Sequence, residues 1–396
     1  MARSRTVVVA GAGIGGLTLA LALVRQGFRA VVLEQAPRLE ETGAGIQLSP
    51  NATRILIGLG LGEALRPLVV APEAIRILGG RSGAQIARAP LGRAAEFRYG
   101  APYWVIHRGD LQAVLLAAAE ASPDVVLRLS ATVEDFAVHA KGATVQLRGR
   151  GPAADEHGIG LVGADGLWST VRLRLGDRNP PRFARRTAWR AVVPAEAVSP
   201  ELRAPETRLW LGADAHLVHY PVKAGSAVNV VAIVRDDWQQ PGWSEAAARD
   251  ELLPRYAGWA PAARALLDAP AQWLRWALFD RLPSRLWGDG PVTLIGDAAH
   301  PMLPFLAQGG AMAIEDAAVL AEMLGRRSTD PAAAMRAYEG LRQARTARVQ
   351  REARSNGTIY HLKGPAALAR NVALAALGGE RLLTRYDWVY DWRREF

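Results

Sequence analysis

The chain has 396 residues, half of them hydrophobic and 22% charged, which is typical of a globular protein and excludes a disordered chain. It contains no cysteine, so disulfides, thiolate metal sites and cysteine nucleophiles are excluded too. The net charge is +10, but the arginines are spread out, without a basic run or a nucleic-acid motif. We predict a cytoplasmic monomer or homodimer with no metal and no nucleic acid partner. Its positive field favours a small anionic substrate.

The N-terminal segment has the charge pattern of a signal peptide or a short membrane span. Residues 1–5 are basic, and no charge occurs from Thr6 to Val24. Four glycines interrupt this run, however, and Glu34 follows a second apolar stretch. A strand, a glycine turn and a buried helix explain these features, so we predict no membrane segment.

A dinucleotide-binding fingerprint follows the first predicted strand. The pattern predicts a strand over 6–10, a helix over 17–26 and a strand over 30–33. The first glycine (Gly11) makes the turn, the second (Gly13) lets the backbone approach a pyrophosphate, and the third (Gly16) lets the helix pack on the strand. Glu34 lies where a carboxylate accepts hydrogen bonds from ribose hydroxyls, which predicts FAD or an NAD-like nucleotide. The glycines are Gly11, Gly13, Gly15 and Gly16.

Three segments between residues 71 and 172 carry weaker signals. Residues 71–98 predict one or two β-hairpins, because they contain two glycine turn signals. Arg108 lies at the entrance of a predicted helix, where it holds a phosphate or is a solvated charge; the residues alone favour neither. Asp165 follows a buried strand. Two interpretations stay open there: a ligand contacts the backbone, or the chain simply turns into a helix.

Residues 187–234 change to a period of two, which predicts a second, mostly antiparallel sheet. On one of its strands His216, Val218 and Tyr220 share a face. A sheet inserted into a dinucleotide domain creates a junction, and such junctions are usual places for small-molecule pockets.

The segment PVTLIGDAAHPMLPFLAQGGAMAIEDAAVL predicts a buried strand, a turn at Gly296–Asp297 and a helix from about Gly310. The free N–H groups and the positive dipole end of this helix suit an anion or an electron-rich ring carbonyl. Beyond it, Arg342, Arg345 and Arg348 have the spacing of a solvated stripe, and the aromatic tail RYDWVYDW predicts a packed segment.

Three motifs in fixed order carry a family resemblance: GAGIGG with Glu34, GADG at 163–166 and IGDAAHP at 295–301. With them the chain resembles the single-component (group A) FAD-dependent aromatic hydroxylases. The runs HPMLPFLAQGGAMAIEDA and HLVHYP resemble the subgroup of salicylate hydroxylase, 3-hydroxybenzoate 6-hydroxylase and 6-hydroxynicotinate 3-monooxygenase.

This resemblance implies an α/β fold of the p-hydroxybenzoate hydroxylase kind. A Rossmann-like FAD-binding domain of the GR2 type is interrupted by a mostly antiparallel β-sheet substrate domain, and a helical C-terminal region follows. We expect the FAD-binding domain over 1–75, 100–180 and 285–330, the substrate domain over 76–99 and 181–284, and the C-terminal region over 331–396.

The resemblance also implies how FAD is held. The glycines would face its pyrophosphate, Glu34 its ribose, Arg108 its phosphates and Asp297 its ribityl portion. The amides of residues 309–311 would face the flavin pyrimidine carbonyl. The implied cofactor-binding residues are Gly11, Gly13, Gly15, Gly16, Glu34, Gln35, Gly45, Arg108, Asp165, Asp297, Gly309, Gly310 and Ala311.

The implied catalytic residues are His216, as the base toward a substrate phenol, and Tyr220, as its hydrogen-bond partner. The residues alone favour a core histidine and a buried tyrosine, whereas the resemblance favours a pocket. Phe305 stands where some relatives carry a polar residue, and Pro304 where others have glutamine, which makes the pocket more apolar. The implied pocket residues are Gln47, Pro301, Pro304 and Phe305.

The implied activity is that of an FAD-dependent monooxygenase that consumes NADH or NADPH and O2. It would hydroxylate a small phenolic or hydroxypyridine carboxylic acid through a flavin C4a-hydroperoxide. The single dinucleotide fingerprint fits a resident FAD and a nicotinamide nucleotide that visits briefly. The alternatives are a flavoprotein dehydrogenase and a flavin-binding sensor of aromatic ligands that does not hydroxylate them.

Overall fold

A five-stranded parallel sheet forms the first layer of the computed structural model, which describes residues 5–39, 44–149, 151–239 and 244–394. Its three central strands are almost entirely buried, as expected of a parallel sheet covered on both faces. The strands are β1 (Thr6–Ala10), β2 (Arg29–Leu33), β7 (Val125–Arg128), β11 (Gly160–Gly163) and β18 (Val292–Leu294), in the order β18-β11-β1-β2-β7.

Helices cover this sheet. The helix that begins at Ile14 packs against the helix that begins at Gly309, where a Cβ on Gly15 would lie 3.2 Å from the Cβ of Ala313. The predicted strand, glycine turn, helix and strand over 6–33 are present. The helices are α1 (Ile14–Arg25), α2 (Pro50–Gly58), α3 (Gly62–Leu65), α5 (Arg108–Glu120), α6 (Thr170–Arg174) and α9 (Gly309–Arg326).

Two small antiparallel sheets flank the first layer. One carries residues of the site and pairs β3 (Gly45–Leu48) with β6 (Trp104–His107). The other contains β8 (Val133–His139), β9 (Gly142–Leu147) and β10 (Glu156–Gly158).

An eight-stranded sheet forms the second layer, and all its pairings except β13 with β4 are antiparallel. Its strands are β4 (Ala74–Gly79), β5 (Gln85–Pro90), β12 (Arg182–Pro194), β13 (Thr207–Gly212), β14 (Ala215–Val222), β15 (Ala227–Arg235), β16 (Glu245–Ala247) and β17 (Trp273–Asp280), in the order β16-β17-β12-β15-β14-β13-β4-β5. Residues 71–98 form a single hairpin followed by α4 (Gly92–Tyr99), so a second hairpin there is wrong. The period-two prediction for 187–234 is confirmed.

The side chains of this sheet alternate between two faces. Trp189 and Ala191 of β12 join a core with α8 (Pro261–Asp268) and the short helix α7 (Arg249–Leu252), which defines the outer face. Ala188 packs instead near Leu303 and Phe305, from the loop before α9. We call this second surface the inner face.

Three C-terminal helices complete the chain: α10 (Pro331–Tyr360), α11 (Gly364–Thr384) and α12 (Asp387–Tyr390). The predicted packing of the aromatic tail is confirmed, because Tyr390 is buried and the guanidinium carbon of Arg348 lies 3.7 Å from the ring centre of Trp388. No helix among the described residues is long and apolar enough to cross a membrane. The division into three regions stays a prediction.

Candidate active site

The glycine loop between β1 and α1 leaves open space at the start of the helix. A Cβ on Gly13 would meet no atom within 4 Å, and no side chain caps α1 there. Gly11, with φ +105°, is constrained by the protein itself, because its Cβ would lie 2.5 Å from the carbonyl oxygen of Ala164. A Cβ on Gly16 would lie 2.0 Å from the carbonyl oxygen of Gly11. Gly13 is therefore the position where a pyrophosphate can approach.

Glu34 closes one side of this loop. Its Oε2 accepts a hydrogen bond from the N–H of Ala12 at 2.8 Å, and its Oε1 accepts one from Ala36 at 2.9 Å. A carboxylate has about four acceptor positions, so it can also accept from ribose hydroxyls. Gln35, the next residue, has an exposed side chain.

Asp165 supports the start of the short helix α6, whose capping residue is Ser169. Its Oδ1 accepts from Oγ of Ser169 at 2.5 Å, and its Oδ2 accepts from the N–H of Val171 at 3.1 Å. Burial raises the pKa of this carboxyl, while the two hydrogen bonds lower it. The structure thus gives Asp165 a role in shaping the loop beside Gly11. Its predicted role in cofactor binding stays a prediction.

Arg108 presents a positive charge between the two layers. It is the first residue of α5, and its N–H donates to the carbonyl of Ala44 at 2.8 Å. Its guanidinium makes no hydrogen bond or ion pair with any residue that the structure describes. Its charge lowers the pKa of two neighbours, Asp297 and Arg190. Arg108 is thus available to an anion.

Asp297 and the start of α9 form the opposite wall. The Asp297 side chain is exposed and has no hydrogen-bond partner within the described ranges. Although Asp297 has exposed surface, the many protein atoms around its carboxyl desolvate it and raise its pKa, against the charges of His300 and Arg108. The N–H groups of residues 309–311 precede the first intrahelical bond of α9, from Met312, and no side chain caps them. These acceptors and donors can bind a polar ring edge and a hydroxylated chain.

A buried ion network fixes this wall. Nε of Arg342 donates to Oδ1 of Asp316 at 2.7 Å, and Nη1 donates to Oε2 of Glu315 at 2.6 Å. Oδ2 of Asp316 accepts from the N–H of Gly296 at 2.9 Å, which ties α9 to the preceding turn. Burial raises the pKa of Asp316, but His300 and Arg342 outweigh it and lower the pKa to about 2. Arg342 is only 1% exposed, so its prediction as part of a solvated stripe is wrong.

Tyr220, Gly45 and Gln47 form a polar end of the inner face. The N–H of Gly45 donates to Oδ1 of Asn229 at 2.6 Å, and a Cβ on Gly45 would lie 2.8 Å from the hydroxyl oxygen of Tyr220. Oε1 of Gln47 accepts from the hydroxyl of Tyr103 at 2.7 Å. The Tyr220 hydroxyl has no hydrogen-bond partner in the described part of the chain. Burial raises its pKa, so it stays a neutral donor.

His216 lies at the other end of the inner face, in an aromatic cluster. Its Nδ1 lies 2.7 Å from Nε2 of His361, and its ring centre lies 5.4 Å from those of Phe305 and Tyr360. Tyr220 is four residues further along the strand, which is about 13 Å. The predicted hydrogen bond between His216 and Tyr220 is therefore wrong. The catalytic role of each residue stays a prediction.

The loop before α9 covers His216. Phe305 is 5% exposed, and its carbonyl accepts hydrogen bonds from Asn356 and Tyr360, both at 3.2 Å. The carbonyl of Pro301 accepts one from Gln350 at 3.0 Å, and Pro304 is partly exposed. Helix α10 thus holds this loop over the inner face.

The centre of the inner face is its least buried part. Strand register places three rows across it: His216 with Ile233 and Ala188, Val218 with Val231 and Arg190, and Tyr220 with Asn229 and Val192. All members of the first row are buried, whereas all members of the middle row are partly exposed. The middle row is therefore the wall that a ligand can reach.

Arg190 is a site residue that the sequence motifs missed. Its guanidinium carbon lies 5.1 Å from the ring centre of Trp276, and it has no hydrogen bond or ion pair with a described residue. Burial lowers its pKa to about 10, followed by the charge of Arg108, so it stays protonated at neutral pH. A charge at an inner position of the strand TAWRAVV was the signal that could have found it.

The FAD binding domain family matches residues 4–353 of the chain. The chain is 40% identical to 3-hydroxybenzoate 6-hydroxylase 1 of Aquipseudomonas alcaligenes, over 97% of each chain. It is 40% identical to 3-amino-4-hydroxybenzoate 2-monooxygenase PtmB3 of Streptomyces platensis, over 97% of this chain and 95% of that one. It is 36% identical to 6-hydroxynicotinate 3-monooxygenase of Bordetella bronchiseptica, over 91% and 93%.

The chain belongs to the FAD-dependent aromatic hydroxylases. Among solved structures, Klebsiella pneumoniae HpxO complexed with FAD and uric acid is similar at a TM-score of 0.85, with 27% identity over 96% of this chain and 95% of that one. The predicted family, fold class, enzyme class and FAD cofactor are confirmed. Hydroxylases of this family use a nicotinamide nucleotide as reductant and O2 as co-substrate, which agrees with the predicted cosubstrates.

Proposed function

We propose that this enzyme hydroxylates a small aromatic carboxylic acid that carries a phenol or hydroxypyridine ring, with NADH or NADPH as reductant. Salicylate, 3-hydroxybenzoate and 6-hydroxynicotinate represent the class. The observation that carries the proposal is a pair of unpartnered groups on the inner face: the Arg190 guanidinium in the accessible middle row and the Tyr220 hydroxyl in the row next to it. Together they offer a cation and a neutral donor to a carboxylate and a ring oxygen.

The residues present fit FAD. The backbone at Gly13 has room for the pyrophosphate, Arg108 supplies a free positive charge, and Asp297 supplies a free acceptor for a ribityl hydroxyl. The uncapped N–H groups of residues 309–311 suit the pyrimidine edge, which becomes negative on reduction. When bound, the flavin supplies the hydride-accepting and oxygen-transferring chemistry.

This chain's own contribution is to orient the ring and keep water away. Arg190 binds the carboxylate, and its place over Trp276 limits the positions its charge can take. Val218 and Val231 give the ring an apolar wall in the same row. His216, in the buried row and in edge contact with Phe305, is the proposed hydrogen-bond partner of the ring oxygen. A dry, preorganised cavity strengthens each of these polar contacts.

A dehydrogenase or a sensor of aromatic ligands would bind FAD without O2-coupled product. The deciding experiment adds a panel of hydroxybenzoates and hydroxypyridine carboxylates to the FAD-loaded enzyme. We expect substrate-stimulated oxidation of NADH or NADPH, with one oxygen atom added to the aromatic product by mass. Ligand binding without a hydroxylated product from any member would reject the proposed function in favour of a sensor.

We further propose that the enzyme works in the cytoplasm, which agrees with the absence of cysteine and with a nicotinamide reductant. A small acid is the expected partner, with no nucleic acid involved, and the protein is expected as a monomer or homodimer. Sedimentation of the FAD-loaded enzyme would distinguish these two states.

A further inference from the structure

Arg186, His361 and His216 form a hydrogen-bonded chain that leads away from the site. Nε of Arg186 lies 2.9 Å from Nδ1 of His361, and Nε2 of His361 lies 2.7 Å from Nδ1 of His216. The three residues come from β12, the residue after α10, and β14. Nε2 of His216 makes no hydrogen bond with a described residue. The chain therefore ends at the one ring nitrogen of His216 that stays available.

The direction of each hydrogen bond follows from the first member. A guanidinium group can only donate, so Nδ1 of His361 accepts from Arg186. A neutral imidazole that accepts at one nitrogen carries its proton on the other. Nε2 of His361 therefore donates to Nδ1 of His216, and by the same rule the proton of His216 lies on Nε2.

The surroundings of both rings favour the neutral form. Burial lowers the pKa of His216 well below its usual value, and the charges of His361 and Arg186 lower it further. Burial, followed by the charges of Arg186 and Arg370, lowers the pKa of His361 to about 3, against an interaction with the Gly357 backbone that raises it. Protonation of either ring at neutral pH would add a charge in a place with little solvent.

We propose that Arg186 and His361 hold His216 as the Nε2–H tautomer, so that His216 donates a hydrogen bond to an oxygen of the aromatic substrate. In this tautomer neither ring nitrogen has a free lone pair. His216 therefore stabilises a phenolate and does not remove the phenol proton. The inference rests on the proposed function, and it makes His361 and Arg186 positioning residues.

The tautomer can be measured without substrate. The FAD-loaded enzyme is labelled with 15N-histidine, and the His216 signals among the 7 histidines are assigned by their loss in His216→Gln. His219 is an internal reference, because its Nδ1 lies 3.2 Å from the indole Nε1 of Trp210, which can only donate. We expect both rings to carry the proton on Nε2. A His216 proton on Nδ1 would overturn the proposal, whatever compound the enzyme hydroxylates.

Two variants at His361 test the consequence for the ligand. His361→Gln keeps a donor toward His216, whereas His361→Glu places an acceptor there and still pairs with Arg186. The probe is 4-hydroxy-3-nitrobenzoate, whose phenolate absorbs visible light. In the wild type and in His361→Gln, we expect the ratio of phenolate to phenol of the bound probe to be at least about tenfold higher than in His361→Glu.

Equal ionisation of the probe in the Gln and Glu variants would overturn the proposal. Failure of the probe to bind the wild type would instead count against the proposed substrate class, and the NMR measurement would still decide the tautomer. The two failures are therefore distinguishable.

Discussion

The guanidinium of Arg190 lies over the ring of Trp276, 5.1 Å from its centre. Arg190 shares its row of the inner face with Val218 and Val231, and all three residues are partly exposed. A cation without an ion-pair partner in such a place is costly unless a ligand supplies the counter-charge. We therefore expect the carboxylate end of the proposed substrate to lie near Arg190.

Arg190→Met should therefore raise KM for a hydroxybenzoate by about 10–100-fold, since a charge-assisted hydrogen bond is lost from a partly buried place. The FAD content should stay normal. Steady-state kinetics on the acid and on the matching phenol without its carboxylate measure the effect. Arg203→Met, at an exposed arginine, is the control. An equal loss on both compounds would contradict a role in carboxylate binding.

Gly13 and Gly16 should respond differently to alanine. Gly13→Ala places its methyl group in open space, so the free energy of unfolding should stay within about 1 kcal/mol of the wild type while FAD binding falls. Gly16→Ala meets the backbone and should lose about 3 kcal/mol of stability. Urea unfolding of the apoprotein and flavin titration separate the two effects. Unchanged FAD affinity in Gly13→Ala would remove it from the pyrophosphate site.

Asp297→Ala should weaken FAD binding by about 10–100-fold, because an acceptor for a ribityl hydroxyl disappears. Asp297→Asn keeps an acceptor oxygen and should lose less. Release of flavin fluorescence on dilution measures both affinities. Asp289→Ala changes an exposed carboxylate nearby in sequence and should bind FAD as the wild type does. If the two alanine variants behave alike, Asp297 is not a ligand.

Asp316 should make stability depend on pH in an acidic window. Its pKa is lowered to about 2 in the folded state, against about 3.9 in an unfolded chain. Its contribution, about 2–3 kcal/mol, is thus fully present above pH ~4 and is lost as the pH falls toward 2. Asp316→Asn should flatten the dependence of unfolding free energy on pH in that window. The exposed control Asp124→Asn should keep the wild-type slope.

His216→Ala should lower the rate of hydroxylation by about 100-fold or more while the FAD content stays normal, because a donor to the developing charge is removed. His216→Asn keeps a donor at similar size and should lose less. Product formation by mass, normalised to bound flavin, measures the effect. Normal turnover of His216→Ala would remove this residue from the mechanism.

Local patterns predicted the parts of the fold that depend on neighbouring residues. The glycine fingerprint marked β1 and α1, and the period-two pattern placed His216 and Tyr220 on one face. The start of α9 was predicted to within one residue, because glycine pairs mark such a boundary. Family motifs then indicated FAD, which no single pattern specified.

The parts that sequence could not predict depend on residues far apart in the chain. Arg342 has the spacing of a surface residue, and only its distant partners Glu315 and Asp316 make it buried. His361 follows a helix without any motif, yet it supplies the hydrogen-bond partner that Tyr220 was expected to be. Strand separation and long-range contacts, which no local pattern records, decided both.

The row of Val218, Val231 and Arg190 is a suitable place to change the substrate range of the enzyme. The two valines lie on β14 and β15, outside the glycine loop and α9, so both can be substituted while every proposed FAD residue is kept. A combinatorial library at these two positions, with Arg190 kept, would vary the size of the aromatic ring that fits while keeping the preference for a carboxylic acid. Divergence of substrate range within such a scaffold then needs few mutations, all on adjacent strands.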